Sequence, residues 1–139
     1  MGRGACEGRG VVDADDIARM SAVAVGSLSG IDPGAVTSAA DRAFEYPLSA
    51  VFKWGLVFDE LDSIKVYSPD DGRRKNAELK IAVLAQEVGD GKTRVTIGLL
   101  PPVRSLAASP FWTIVRKELG NLELTFQRLD SNFAFQFVA

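Results

Sequence analysis

The sequence contains no histidine, and its single cysteine is Cys6. Without histidine, a chain cannot build Ser-His-Asp or Cys-His catalysis, or a histidine metal site. One cysteine allows neither an internal disulfide nor a cysteine-cluster metal site. We therefore expect a protein that is not an enzyme and that uses no cofactor and no metal.

Long apolar runs and a basic excess are also missing. No run of about 18 apolar residues occurs, so we expect no transmembrane segment. The first ten residues, MGRGACEGRG, lack the apolar core of a secretory signal, which indicates a cytoplasmic protein if Met1 is the native start. With 16 basic and 18 acidic residues, the net charge of -2 argues against a nucleic-acid partner.

Cys6 is the one candidate for attachment to a membrane. The tripeptide Gly4-Ala5-Cys6 matches the end of a bacterial lipobox, in which the cysteine is lipidated after signal cleavage. Arg3 stands where a lipobox has an apolar residue, so lipidation requires a truncated or replaced N-terminus. Under that hypothesis the protein belongs to the bacterial cell envelope, and the sequence alone leaves its localisation open.

At 139 residues with 47% hydrophobic content, the chain has the size and composition of one globular domain. Residues 1–41 are predicted to be a flexible N-terminal arm, with a short helix that starts after Asp13 and stops at Gly26. The stretch SLSGIDPGAVTSAADR indicates a linker or extended segment in that arm. Residues 42–139 are predicted to be a single α+β domain.

The periodicity of the body predicts its elements. Phe44 and Tyr46 alternate as in a short strand, and LSAVFKWGLVFDEL has the apolar spacing of a helix. The alternating stretches SIKVYS, AELKIAVLA and TRVTIGL predict three antiparallel strands joined by the turns SPDDG and GDG. We therefore expect an antiparallel β-meander packed against an amphipathic helix and a C-terminal helix.

Two segments near the C-terminus are less determined. Residues 101–120 suit a short buried strand, a helical turn or a loop that covers the core. From Asn121, a plausible N-cap, apolar residues recur at helical spacing, which predicts a helix over about 121–132. The final FAFQFVA either continues this helix or ends as a strand.

Two apparent motifs have ordinary explanations. VGDGKT lacks the first glycine of a phosphate-binding loop and joins two strands, so it indicates a hairpin turn. Asp59, Glu60 and Asp62 indicate a solvated surface rather than paired catalytic carboxylates.

The aromatic residues are the strongest candidates for a functional surface. Most aromatic side chains in a small domain form the core, but some could line an apolar cavity or a surface that contacts a partner. The candidates for a ligand or partner surface are Tyr46, Trp54, Tyr67, Phe111, Trp112 and Phe126.

The stretches FEYPLSAVFKWGLVFDEL, IKVYSPDDG, RVTIGLL and NLELTFQRLDSNF together resemble small bacterial envelope lipoprotein domains, of the BamC-like or uncharacterised lipoprotein kind. The resemblance covers about residues 43–133 and implies a non-catalytic interaction or structural domain with a protein partner. The same order of elements also resembles a shortened START or Bet v 1-like domain. That alternative implies a small apolar-ligand-binding domain.

Overall fold

The computed structural model describes residues 14–45, 53–60, 63–70 and 78–138. The elements are α1 (Ala14–Arg19), β1 (Ser21–Ser29), α2 (Pro33–Glu45), β2 (Lys53–Glu60), β3 (Ile64–Asp70), β4 (Lys80–Gly89), β5 (Lys92–Leu100), a 3-10 turn (Leu106–Ala108), α3 (Trp112–Gln127) and β6 (Gln136–Phe137). Neighbouring strands of the sheet are all antiparallel and lie in the order β2-β3-β4-β5-β1-β6. This confirms the α+β class, with the predicted three-stranded meander present as β3 to β5 and a helix near the C-terminus.

The main core lies between one face of the sheet and the helices α2 and α3. Alternate residues of a strand point to the same face, which explains why the strands contribute every second side chain. The principal core residues are Leu28 of β1; Val36, Ala40 and Phe44 of α2; Ile81 and Val83 of β4; Val95, Ile97 and Leu99 of β5; and Val115, Leu119, Leu122 and Phe126 of α3.

The opposite face of the sheet carries a smaller apolar cluster under α1. Ile17 and Met20 pack there against the buried side chains of Val66 and Ala82. Lys80 is also buried. Burial lowers the pKa of its ammonium group, while the negative charges of Asp16 and Glu78 act to raise it.

The hairpin between β4 and β5 confirms the interpretation of VGDGKT as a turn. Asp90 and Gly91 both have positive φ, of 55° and 71°. A two-residue hairpin turn of type I′ requires positive φ at both central residues, and Asp-Gly is among the pairs that adopt it most easily. The motif therefore joins two strands and does not cradle a phosphate.

The predicted helix over LSAVFKWGLVFDEL is wrong where the structure describes it, because Lys53–Glu60 is strand β2. The pairing of β2 with β3 shifts register between Leu56 and Phe58. A bulge of this kind breaks the two-residue alternation by which a strand is recognised. Residues 46–52 lie outside the described residues.

The predicted strand at Phe44 is also wrong, since Phe44 belongs to α2. This helix begins where the sequence indicated a linker. Asp32 accepts a hydrogen bond at its Oδ1 from the backbone N–H of Ala35 at 2.8 Å, and Pro33 occupies the first turn. A capping aspartate followed by proline is a helix start signal. Taken by themselves, these residues therefore suit either a linker or the start of a helix.

Residues 21–29 likewise do not form a flexible arm, because β1 pairs with β5 along its length inside the sheet. The predicted short helix after Asp13 is present as α1, but it ends at Arg19 rather than near Gly26. The first 13 residues lie outside the described part.

The predicted C-terminal helix exists, but it occupies Trp112–Gln127 and so begins earlier and ends earlier than the pattern indicated. It therefore includes much of the segment that the sequence left undetermined. Of the two options for the final residues, the strand is found, as β6.

Candidate binding groove

Two of the predicted surface aromatics are buried in the core. Tyr67 stacks on Phe44 with ring centroids 4.0 Å apart, and Phe126 packs edge-to-face on Phe133 at 5.2 Å. Tyr67 is 3% exposed and Phe126 is fully buried. Neither side chain reaches the surface, so neither can contact a partner there.

The other aromatic candidates differ in position. Phe111 is partly buried against the core, whereas Trp112 is 39% exposed at the start of α3. Trp54 lies in β2, where its backbone pairs with Pro69. Tyr46 and Cys6 lie outside the described residues, and lipidation of Cys6 stays a prediction. Among the candidates whose side chains the structure describes, Trp112 has an exposed ring.

A groove lies between the end of α2 and the C-terminal half of α3. Its volume is about 390 Å³. The exposed side chains of Arg42 and Arg128 line it together with three apolar residues, Ala43, Leu124 and Leu129, and two polar ones, Asn121 and Thr125. The groove therefore combines two positive charges with an apolar surface.

The polar residues of this groove are held by the fold. Asn121 donates from Nδ2 to the carbonyl oxygen of Ala43 at 2.8 Å, which joins α3 to the end of α2. Thr125 donates from its hydroxyl to the carbonyl oxygen of Asn121, also at 2.8 Å. The first bond fixes the position of α3 relative to α2, and hence of the groove's walls. The second lies within α3 and holds the Thr125 side chain against its own helix.

The residue before Arg42 anchors α2 to the sheet. Asp41 accepts a hydrogen bond from Lys65 Nζ at 2.8 Å, and its other carboxylate oxygen accepts one from the hydroxyl of Tyr67. The Asp41 carboxylate is therefore engaged with β3. This arrangement positions the end of α2 that carries Arg42.

Two acidic residues near the other wall are likewise engaged by the backbone. Asp130 accepts hydrogen bonds from the N–H groups of Ser29 and Asn132, which lower the pKa of its carboxyl group. Glu123 accepts one from the N–H of Phe135 at 2.8 Å. Neither Arg42 nor Arg128 forms an ion pair with another residue that the structure describes, and both residues are exposed.

The solvent-facing side of α3 carries further basic residues besides those of the groove. We call it the outward face of α3. Near its start the guanidinium of Arg116 lies over the ring of Trp112, 5.2 Å from the ring centroid. Its exposed residues, including the one that caps the helix, are Trp112, Thr113, Arg116, Lys117, Gly120, Leu124 and Arg128.

The described ranges contain neither a cluster of metal-ligating side chains nor a helix suited to span a membrane. No group of three or more metal-ligating side chains comes together among residues 14–45, 53–60, 63–70 and 78–138. No helix in those same ranges has the length and apolar character needed to cross a membrane.

Comparison with known proteins adds no relative. No protein-family model, no curated protein sequence and no solved structure matches this chain. The resemblance to envelope lipoprotein domains therefore stays a prediction.

The sequence did not indicate the groove. Arg42 was assigned to a linker and Arg128 to the middle of a helix, and their approach depends on the packing of α2 against α3. A signal was nevertheless present, since the apolar spacing of Val115, Leu119, Leu122 and Phe126 defines the inner side of a helix that starts before Asn121. Recognising that earlier start would have identified the outward face of α3.

Proposed function

We propose that this protein is a non-catalytic interaction domain whose groove between α2 and α3 binds an acidic segment of a partner protein. The observation that carries the proposal is the presence of Arg42 and Arg128 on a groove with an apolar lining. Arginine forms strong, directional hydrogen bonds with carboxylates. The apolar residues of the groove add a surface on which an aliphatic side chain of the partner can be buried.

Because the protein as a whole is negative, an acidic segment should be attracted to the groove and not to the protein surface in general. The chain carries a net charge of -2, yet the groove has two cations. The acidic residues next to its lining residues in sequence are already engaged: Asp41 with β3, and Glu123 and Asp130 with backbone N–H groups. A positive patch on a net negative protein steers an acidic segment to one place.

The proposal is tested by isothermal titration calorimetry, in which a short peptide rich in glutamate and leucine is titrated into the protein. The matched peptide has lysine in place of glutamate. The protein variants are Arg42→Glu and Arg128→Glu, and the control is Arg94→Glu, which makes the same charge change at an exposed position of β5.

We expect the acidic peptide to bind and the lysine peptide not to bind. Each charge reversal in the groove should weaken binding by about tenfold, corresponding to about 1.4 kcal/mol, while Arg94→Glu should have little effect. Equal losses in all three variants would indicate attraction by net charge alone. Unchanged affinity in Arg42→Glu and Arg128→Glu would place the binding site elsewhere.

A further inference from the structure

The exposed charged side chains on the outward face of α3 are all positive. Its exposed positions include Arg116, Lys117 and Arg128, and no acidic residue is among them in this helix, which the structure describes throughout. The acidic residues of the helix are elsewhere: Glu118 is buried, and Glu123 accepts the hydrogen bond from Phe135. This face is continuous with the groove, because Leu124 and Arg128 belong to both.

Gly120 lies in the middle of that face. Glycine is among the least favourable residues in a helix interior, so its presence there calls for a physical reason. Gly120 does not have positive φ, and a Cβ built on it would meet no atom within 4 Å. Nothing inside the described domain therefore requires a glycine at this position.

A missing side chain on an exposed helix leaves a shallow depression between the side chains around it. Another helix can approach most closely where such a depression occurs, because the distance between packed helices depends on the side chains at their contact. Resting on the proposed function, we propose that the acidic partner segment is an amphipathic helix that crosses α3 at Gly120.

The spacing of the charges defines the partner's chemistry. Arg116 and Arg128 are about 18 Å apart along the helix axis, at about 1.5 Å per residue. A partner helix that pairs with both needs acidic residues about three turns apart on one side. Between them it needs a small residue opposite Gly120 and an apolar residue that covers Leu124, which is 55% exposed.

Charge also decides between this partner and a second copy of the chain. A symmetric dimer through the outward face of α3 would bring Arg116, Lys117 and Arg128 of both copies into one interface, to which neither copy's outward face contributes an acidic side chain. Like charges in such an interface are strongly unfavourable. An anionic membrane would also attract the cations of this face. A flat membrane surface would not fill the depression at Gly120, however, whereas a helix can. An acidic helix therefore accounts for both the exposed cations and the exposed glycine.

The test uses an acidic amphipathic peptide of about 20 residues, locked as a helix by a side-chain staple. A second peptide has the same composition but carries a central proline, which prevents a continuous helix. Both are titrated into the wild-type protein and into the Gly120→Ala and Gly120→Leu variants. Gln86→Leu adds an apolar side chain at an exposed position of β4 and is the control.

We expect the stapled peptide to bind at least about tenfold more tightly than the proline peptide. Gly120→Leu should reduce its affinity by about tenfold or more, and Gly120→Ala by a smaller factor, while Gln86→Leu should bind as the wild type does. Gly120→Ala should also raise the melting temperature of the free protein by about 3–5 °C, since alanine favours the helix.

Three results would overturn the inference. If both peptides bind equally and Gly120→Leu retains full affinity, the partner is not a helix at Gly120, although the proposed acidic-segment function still stands. A lower melting temperature for Gly120→Ala would show that glycine serves the free domain. If neither peptide binds but vesicles containing phosphatidylglycerol do, and Arg42→Glu with Arg128→Glu abolishes that binding, a membrane surface replaces both proposals.

Discussion

Asn121 donates a hydrogen bond from Nδ2 to the carbonyl oxygen of Ala43, with 2.8 Å between the two atoms. Asn121 is 8% exposed and Ala43 is 5% exposed, so the bond is shielded from water. It joins the only two helices of the main core in the described part of the chain, and both residues line the groove. The shape of the proposed binding site therefore depends on this contact.

Replacing Asn121 with alanine should lower the stability of the protein. The change leaves the buried carbonyl of Ala43 without this donor, which typically costs about 1–3 kcal/mol. The free energy of unfolding in urea measures the loss. Thr113→Ala, an exposed substitution in the same helix, should stay within about 0.5 kcal/mol of the wild type. An equally small effect for Asn121→Ala would show that the bond does not fasten α3 to α2.

Gly26→Ala should destabilise the protein by about 1–3 kcal/mol through overpacking. A Cβ at Gly26 would lie 2.5 Å from Cε1 of Phe133 and 3.0 Å from the backbone oxygen of Ala134. The same substitution at Gly120, where a Cβ meets nothing within 4 Å, should instead stabilise the protein by up to about 1 kcal/mol. Thermal unfolding of both variants makes the comparison, and similar losses at the two positions would contradict the packing of Phe133 over β1.

Asp130 should make the protein sensitive to acid. The backbone N–H groups of Ser29 and Asn132 lower its pKa in the folded state below the ordinary value of 3.8. The unfolded chain then binds the proton at higher pH than the folded one, so the contribution is present above about pH 4 and is lost as the pH falls through the folded pKa.

Asp130→Asn should therefore unfold with a shallower dependence on pH below about 4 than the wild type. Ser131→Ala, a change at the next residue that leaves the carboxylate in place, should keep the wild-type dependence. Urea unfolding at a series of acidic pH values measures both slopes. Identical slopes for Asp130→Asn and the wild type would mean that the hydrogen bonds to Ser29 and Asn132 do not persist in solution.

Lys80, a cation where Asp130 is an anion, should make the stability of the protein depend on pH in the alkaline range. Burial lowers the pKa of its ammonium below the ordinary value of 10.5 in the folded state. Between the folded pKa and 10.5 the unfolded chain binds more protons than the folded one, so stability should rise with pH across that window. Lys80→Met should remove the rise, because methionine fills similar space without a charge to desolvate.

The matched control for this prediction is Lys92→Met, which replaces an exposed lysine at the β4–β5 hairpin. It should keep the pH dependence of the wild type. Unfolding by urea from neutral pH to about pH 10 separates the two variants. If Lys80→Met retained the full rise of stability with pH, another group would have to account for it.

The parts of the fold that the sequence predicted well depend on neighbours in the chain. Ile81 and Val83, like Val95 and Ile97, recur at every second position, which identifies strands whose apolar side chains face the main core. Asp90-Gly91 identifies the turn between β4 and β5. These signals act over a few residues, so they survive without knowledge of the whole structure.

The errors arose where local signals fit two structures. Pro33 suits a linker or the first turn of a helix, and the choice depends on the burial of Val36 and Phe44 against the sheet. Lys53–Glu60 has apolar spacing that suits a helix, but pairing with β3 makes it a strand. The groove depends on Arg42 and Arg128 coming together across two helices, which no local pattern encodes.

The most direct test of the central claim is a titration of the isotopically labelled protein with the glutamate-leucine peptide, followed by backbone amide chemical shifts in NMR spectra. We predict that the largest shifts cluster around the groove, at Ala43, Asn121, Leu124, Thr125 and Leu129, and that they disappear in Arg42→Glu with Arg128→Glu. Shifts concentrated at the β4–β5 hairpin or β6, with the groove unchanged, would contradict the claim that the α2–α3 groove is the binding site.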